Sequence, residues 1–115
     1  MERRRSRRIE ALLDQEEQVL IEHDLQYVPS TIVNFSDGGA LLALKDPDLC
    51  FTVGHRHVLF FDNGGQVLAL EATVLRKTGR RVAFQFSDVT PEQTKALHTK
   101  MIRMAMVMAR VGSAG

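Results

Sequence analysis

Tryptophan is absent from this 115-residue chain, which also has one tyrosine, three prolines and a single cysteine. Cys50 has no second cysteine to pair with, so a disulfide scaffold within the sequence is excluded, and we predict a reducing, cytoplasmic location. No apolar run approaches the ~18–20 residues that span a bilayer, so we predict no membrane insertion. The charged N-terminus is not followed by an apolar stretch and therefore does not predict a secretory signal.

Patterns typical of catalysis and metal binding are also missing. No Ser/His/Asp or Cys/His set can be placed at a common site, and no glycine-rich phosphate loop precedes a helix, so we predict that the protein is not an enzyme. His55 and His57 would share a face of a strand, but a closed zinc site needs four ligands and no Cys or further His lies nearby in sequence. We predict no metal site and interpret both histidines as surface strand residues.

Cys50, between Leu49 and Phe51, is interpreted as a small buried apolar residue.

Positive charge is concentrated at the N-terminus. Residues 1–8 hold five arginines and one glutamate, a net +4, whereas the rest holds ten Lys or Arg against thirteen Asp or Glu, a net −3. The arginines are Arg3, Arg4, Arg5, Arg7 and Arg8. Like charges repel, so residues 1–8 are predicted to form a flexible arm, whose guanidinium groups suit phosphate and can stack on flat rings. The alternative is a solvated basic tail that contacts acidic surfaces or nucleic acid without specificity.

The apolar pattern from Val19 onward predicts short strands joined by hairpins. The strongest turn signal is Asp62-Asn63-Gly64-Gly65, and residues 77–80 form a second turn. Two rows are predicted to face inward: Leu68, Leu70, Ala72 and Val74, then Val82, Phe84 and Phe86. Roughly six strands before one helix predict a mostly β fold, a six-stranded antiparallel Greek-key-like barrel with a C-terminal α-helix, over residues 9–111. Residues 9–18 are ambiguous, because Ile9, Leu12 and Leu13 have helix-like spacing whereas residues 14–17 have the composition of a solvated connector.

The C-terminal helix is predicted to begin at Thr90. Thr90 is a capping residue, Pro91 suits the first helical position, and Gln93 completes a capping box. The helix is predicted to end at Gly112, with residues 112–115 as a tail. Its apolar stripe is Leu97, Met101, Met104, Ala105 and Met108. This stripe either packs over the barrel mouth or, through Met101, Met104 and Met108, presents an adaptable surface to a partner protein or to a second copy in a homodimer.

A second polar motif, Asn34-Phe35-Ser36-Asp37-Gly38-Gly39, follows the second predicted strand. Small polar side chains and exposed backbone at such a turn can approach the edge of a ligand. The motif is equally suited to an ordinary turn, and both interpretations can hold together, because a ligand site needs the same tight geometry.

These two motifs together resemble those of the PilZ domain family, receptors for the bacterial second messenger cyclic di-GMP. Arg4-x-x-x-Arg8 matches the family's Arg-x-x-x-Arg motif before the barrel, and Asn34-x-Ser36-x-x-Gly39 matches its Asp/Asn-x-Ser-x-x-Gly motif. Arg3-x-x-x-Arg7 matches the first motif equally well, but the apolar residue that follows Arg8 favours the first register. Residues 82–86 resemble the family's late strand, although Ala83 stands where members commonly have glycine.

The resemblance implies a role for each motif residue. Arg4 and Arg8 would bind phosphate or guanine, Asn34 a guanine edge, and Ser36 a phosphate or base, while Gly39 would leave room for close backbone approach. Arg3 would go with an intercalated ligand dimer. Further contacts are predicted at Arg5, Arg7, Gly38 and Ala83.

The resemblance thus predicts a cyclic di-GMP receptor whose arm orders on binding and whose signal passes in trans to an unidentified effector protein. One alternative is a PilZ-like adaptor that lacks nucleotide binding and acts only through protein contacts. Another is a small barrel that binds nucleic acid through the arm with steep salt dependence. The acidic body and the scarcity of aromatic residues count against the last, and we predict no specific nucleic-acid partner.

Overall fold

The structure is a computed structural model that describes residues 17–114, with side chains described as far as Ala105. Its elements are β1 (Gln18–His23), β2 (Gln26–Phe35), β3 (Gly39–Leu44), β4 (Arg56–Asn63), β5 (Gln66–Thr78), β6 (Arg81–Ser87) and α1 (Pro91–Ala114). The predicted class, a mostly β fold with six antiparallel strands and a C-terminal helix, is confirmed.

The strands form a closed barrel in the order β1-β2-β3-β6-β5-β4, with β4 returning to β1. Closure gives each of the six described strands a hydrogen-bonded neighbour on both sides. The chain crosses the barrel between β3 and β4, and the second neighbour of β3 is therefore β6 and not β4. This order is that of a Greek-key-like arrangement. Both predicted inward rows are buried, and Phe61 packs between the rings of Phe35 and Phe86 at the centre of the core.

The β4–β5 hairpin is the one that the sequence indicates most strongly. Gly64 and Gly65 occupy its two central positions with φ of 64° and 87°, which a residue without Cβ adopts at no steric cost. The Gly65 N–H donates to Asp62 Oδ1 over 3.0 Å. The β1–β2 turn has the same backbone geometry in Asp24 and Leu25, at φ of 49° and 63°. The sequence indicates that turn only weakly, because aspartate tolerates positive φ but leucine disfavours it.

The capping box of α1 is confirmed in both directions. The Gln93 N–H donates to Thr90 Oγ1 over 3.1 Å, and the Thr90 N–H donates to Gln93 Oε1 over 3.0 Å. The helix then lies on the β4–β5 hairpin, where Leu97 and Lys100 are fully buried and Lys100 Nζ donates to the Asp62 carbonyl. Arg103 Nη2 donates to Asn63 Oδ1 over 2.7 Å. These contacts hold one face of the helix against the barrel.

Three predictions from the sequence are corrected. The helix continues through Gly112 to Ala114, because a single glycine weakens a helix without having to end it. Cys50 is exposed, since it lies in the irregular segment between β3 and β4 and not on a strand. His57 is half-buried, and its Nδ1 is 3.0 Å from the Glu22 carbonyl oxygen, while its ring packs near Phe51 and Phe84.

Candidate functional site

A β-bulge in β2 controls the direction of Asn34. Ile32 pairs with Leu42 and Asn34 pairs with Leu41, so Val33 is the extra residue. In a regular strand the alternation would turn Asn34 inward and Phe35 outward. The bulge lets Val33 and Asn34 both face solvent and returns Phe35 to the core, where its ring lies 6.3 Å from that of Phe61.

A second bulge, in β5, has the same effect on Arg76. Val74 pairs with Phe84 and Arg76 pairs with Ala83, which leaves Leu75 as the extra residue. Leu75 and Arg76 are both exposed, whereas strict alternation would direct Arg76 into the core. An unpaired arginine is too costly to bury, so the bulge satisfies the hydrophobic core and delivers a guanidinium group to the outer surface.

The two bulges align four residues across four adjacent strands. Asn34 lies opposite Leu41, Leu41 opposite Ala83, and Ala83 opposite Arg76. Neighbouring strands are ~4.8 Å apart, so the row spans about 14 Å of the outer barrel surface. The row crosses a shallow groove of about 280 Å³ that also includes Ser36 and Gly39. An amide, a hydroxyl and a guanidinium group therefore face one groove with an apolar floor.

The turn after β2 orients the serine of the motif. The Gly38 N–H donates to Ser36 Oγ over 3.2 Å, and the Ser36 N–H donates to the Gly39 carbonyl over 2.9 Å. Because Ser36 Oγ accepts a bond from its own turn, its hydroxyl proton is available to an acceptor outside. The hydroxyl is thus held by local geometry and can donate to a phosphate or carbonyl oxygen of a ligand.

The two glycines of the motif serve different purposes. A Cβ on Gly39 would lie 2.3 Å from the Phe84 carbonyl oxygen, so β3 approaches β6 too closely for any side chain. A Cβ on Gly38 would meet only Ser36 Oγ, at 3.9 Å. Gly39 is therefore required by barrel packing, whether or not a ligand also uses the space beside it.

The motif turn also contacts α1. Asp37 Oδ2 lies 3.4 Å from His98 Nε2, and both side chains are more than half exposed. The pair is worth little to stability in water. It does connect the loop that carries Ser36 with the helix that carries the methionines.

The groove continues past the row along β5 and β6. An adjoining depression of about 300 Å³ shares Leu41, Arg76 and Ala83 with it and adds Thr78 and Arg81. Its two guanidinium groups face solvent, and such groups bind phosphate or the O6/N7 edge of guanine with two parallel hydrogen bonds. The two adjoining depressions together therefore suit an anionic ligand that is longer than the first groove.

The start of β1 lies at the same end of β2 as this site. The Ile32 N–H donates to the Glu17 carbonyl over 2.8 Å, so residue 17 lies beside the part of β2 that leads to Asn34. Arg3, Arg4, Arg5, Arg7 and Arg8 lie outside the described residues, and so do Ile9, Leu12 and Leu13. Even so, the start of β1 lies at the same end of β2 as the Asn34–Gly39 motif.

Four residues singled out in the sequence therefore line one groove: Asn34, Ser36, Gly39 and Ala83. Gly38 belongs to the same turn but does not line the groove. Met101 and Met104 border a different depression with β2, and the side chain of Met108 lies outside the described part of the chain. Sequence reasoning missed Arg76. The signal was present, because residues 76–81 hold four basic residues within a body that is otherwise acidic.

A larger cavity, of about 330 Å³, lies at the opposite end of β2 and is lined by three histidines and three carboxylates, among other residues. These are His23, His55, His57, Glu22, Asp24 and Glu71. Within residues 17–105 no three His, Cys, Asp or Glu side chains are arranged to hold a metal ion. Among the described residues, none of those predicted to bind a ligand borders this cavity. In the portion of the chain that the structure describes, no helix is both long and apolar enough to cross a membrane.

Comparison with known proteins identifies relatives of this barrel. The family model described as "PilZ domain" matches residues 2–103, which include both polar motifs. The comparison with curated proteins gave no match.

Solved structures share the fold at low sequence identity. The PilZ domain of YcgR from Escherichia coli with c-di-GMP superimposes with a TM-score of 0.64 at 18% identity, covering 89% of this chain and 92% of that one. The PilZ domain of CeSA from a cellulose-synthesizing bacterium gives 0.61 at 17% identity, covering 84% and 96%. The Bacillus subtilis inhibitor of motility MotI/DgrA gives 0.59 at 24% identity, with 77% of this chain against 46% of that one.

Proposed function

Because the chain belongs to the PilZ domain family, which includes receptors for cyclic di-GMP, we propose that it binds this nucleotide and passes the signal to a partner protein. The observation that carries the proposal is that the row of Asn34, Leu41, Ala83 and Arg76 shares one groove with Ser36. This arrangement supports recognition of a ligand that has both flat bases and phosphates.

Each polar group has a partner in cyclic di-GMP, which carries two guanines and two phosphates. The Asn34 amide pairs with a guanine edge, and the Ser36 hydroxyl donates to a phosphate or base oxygen. Arg76, which the family motif does not include, binds a phosphate or the O6/N7 edge of guanine from the far end of the row. The methyl group of Ala83 forms part of the floor between them.

The N-terminal arginines complete the site from above. Arg4 and Arg8 bind phosphate and stack on guanine as the arm orders over the groove, and ligand binding must offset the entropy lost in that ordering. Arg5 and Arg7 supply further positive charge. Arg3 and the adjoining depression with Arg81 support an intercalated ligand dimer, because a second molecule brings two more phosphates.

The signal leaves the domain through protein contacts. Asp37 in the motif turn touches His98 of α1, which supports a path from the groove to the helix. Met101, Met104 and Met108 on that helix form the proposed partner surface, because methionine side chains adapt to varied apolar partners. The receptor acts in the cytoplasm and has no catalytic role of its own.

Calorimetry with cyclic di-GMP tests the proposal. We expect saturable binding to the unmodified protein and its loss in Arg4→Ala/Arg8→Ala. The matched control is Arg80→Ala/Lys95→Ala, which likewise removes two positive charges; Arg80 and Lys95 are exposed and lie outside both parts of the groove. The control should retain binding, and a stoichiometry near two would support the dimer.

Two results would contradict this proposal. One is the absence of both heat and thermal shift at high ligand concentration, which would favour the nucleotide-free adaptor. The other is an equal loss of binding affinity in the arm variant and in the control, together with affinity that falls steeply with salt and shows no preference for cyclic di-GMP over other polyanions. That result would indicate nonspecific electrostatic binding.

A further inference from the structure

An apolar groove lies between β2 and α1 on the other side of Asn34. It has a volume of about 280 Å³ and is lined mainly by aliphatic, aromatic and thioether groups. The lining residues are Ile32, Val33, Asn34 and Phe35 from β2 and Met101, Met104 and Ala105 from α1. The β2 bulge contributes directly to this groove, because it holds Val33 outward with 41% of its surface exposed.

The start of β1 lies beside this groove. The hydrogen bond between the Ile32 N–H and the Glu17 carbonyl places residue 17 beside the first residue of this groove. Leu13 is only four residues upstream, so it cannot lie farther than about 14 Å from Glu17 even in a fully extended chain. The groove is therefore within reach of residues 9–13.

The sequence of that segment has the complementary chemistry. Leu12 and Leu13 follow Ile9 by three and four positions, a spacing that would place all three on one face of a helical turn and Ala11 on the opposite face. Together they supply three branched aliphatic side chains, which suit a groove bordered by Met101 and Met104 because methionine packs against irregular apolar shapes.

We propose that Ile9, Leu12 and Leu13 of the chain's own N-terminal segment occupy this groove in the absence of nucleotide. Covalent attachment favours this occupant over a second copy, since a short tether gives an effective concentration of about millimolar or higher. Docking at Ile9 would also hold Arg8, its direct neighbour, at the Asn34 end of the nucleotide groove. The apolar groove would thus hold the last residue of the arm before any ligand arrives, whereas residues 1–7 would order on binding.

Paramagnetic broadening measures the proposed contact directly. A nitroxide is attached to Ala11→Cys in a Cys50→Ser background, because Cys50 is itself exposed and would react. The signals observed are the ¹³C-labelled methyl groups of Met101 and Met104, assigned from Met101→Leu and Met104→Leu. We expect strong broadening of both signals without nucleotide, and its loss when Leu12→Ser/Leu13→Ser is added.

The control variant carries two equivalent changes elsewhere. Leu25→Ser/Val53→Ser replaces two exposed aliphatic residues, 100% and 64% exposed, that lie away from the groove. It should leave the broadening unchanged. Far-UV circular dichroism on every variant confirms that the barrel is intact, since Leu12 and Leu13 precede its first strand.

Two outcomes would overturn the inference. The first is the absence of broadening at Met101 and Met104 in the singly labelled protein. The second is broadening that appears only when nitroxide-labelled protein without ¹³C is mixed with ¹³C-labelled protein, which would identify a second copy as the occupant. Because no nucleotide is present, either result leaves the proposal of cyclic di-GMP binding intact.

Discussion

Replacement of Gly39 by alanine tests whether barrel packing, and not only a ligand, requires this motif glycine. The added Cβ would lie 2.3 Å from the Phe84 carbonyl oxygen, whereas Cβ atoms in proteins essentially never come within 3.0 Å of a heavy atom outside their own residue and its chain neighbours. β3 and β6 must therefore separate locally by at least about 0.7 Å, the difference between these two distances. The neighbouring bond from the Phe86 N–H to the Gly38 carbonyl, 2.9 Å long, would be stretched as well.

The expected cost follows from the rigidity of the neighbour. The clashing atom is backbone within a paired strand and cannot rotate away, so overpacking is expected to cost about 2 kcal/mol. For a domain of this size, that loss lowers the melting temperature by roughly 6–12 °C. In urea the midpoint should fall by on the order of 1 M with an unchanged slope.

Gly38→Ala is the matched control for this prediction. It adds the same methyl group one residue away, in the same turn, where the nearest atom is Ser36 Oγ at 3.9 Å. Thermal and urea unfolding of both variants without nucleotide should show a loss for Gly39→Ala and almost none for Gly38→Ala. Equal stability of the two variants would refute the reasoning.

Two further predictions concern the groove and the helix. Arg76→Ala should weaken cyclic di-GMP binding about 10- to 100-fold, the value of a lost charge-assisted hydrogen bond, whereas Arg80→Ala should change the dissociation constant by less than about twofold. Calorimetry that finds the same affinity for both would remove Arg76 from the site. Thr90→Ala should lower the free energy of unfolding by about 1 kcal/mol, because it leaves the Gln93 N–H without its capping oxygen. Thr99→Ala, within the same helix, is the control. Urea unfolding in which the two variants lose the same free energy of unfolding would contradict the capping argument.

Local sequence was sufficient for the strands and the helix of this fold and for the polar turn of the candidate site. Alternating apolar residues identify strands, because a strand that is buried on one face needs an apolar side chain at every second position. The inward rows of β5 and β6 follow that rule. The hairpin glycines and the helix cap can also be predicted locally. Gly64-Gly65 meets the need for positive φ in a tight turn, and the Thr90–Gln93 box meets the need for hydrogen-bond partners at a helix start. The motif residues Asn34, Ser36 and Gly39 were identified by their resemblance to the family's Asp/Asn-x-Ser-x-x-Gly motif.

Arg76 and the row that it completes could not be obtained from such patterns. It is more than forty positions from Asn34 in sequence, and the two share a groove only because β3 and β6 lie between their strands. A register shift of one residue would reverse the direction of both side chains. The same limit explains why His57 and Cys50 were misassigned, because burial at the end of a barrel depends on which loops cover it.

The sequence by itself therefore determined the strands, the capped helix, the basic N-terminus and the polar turn, each of which depends on interactions between residues close together in the chain. The tertiary structure decided which of these meet. Two bulges, at Val33 and Leu75, turn an amide and a guanidinium group to the same outer surface, and the packing of β3 on β6 assigns Gly39 its role. These outcomes depend on pairing between distant strands, where the position of one extra residue selects the face that every later side chain occupies.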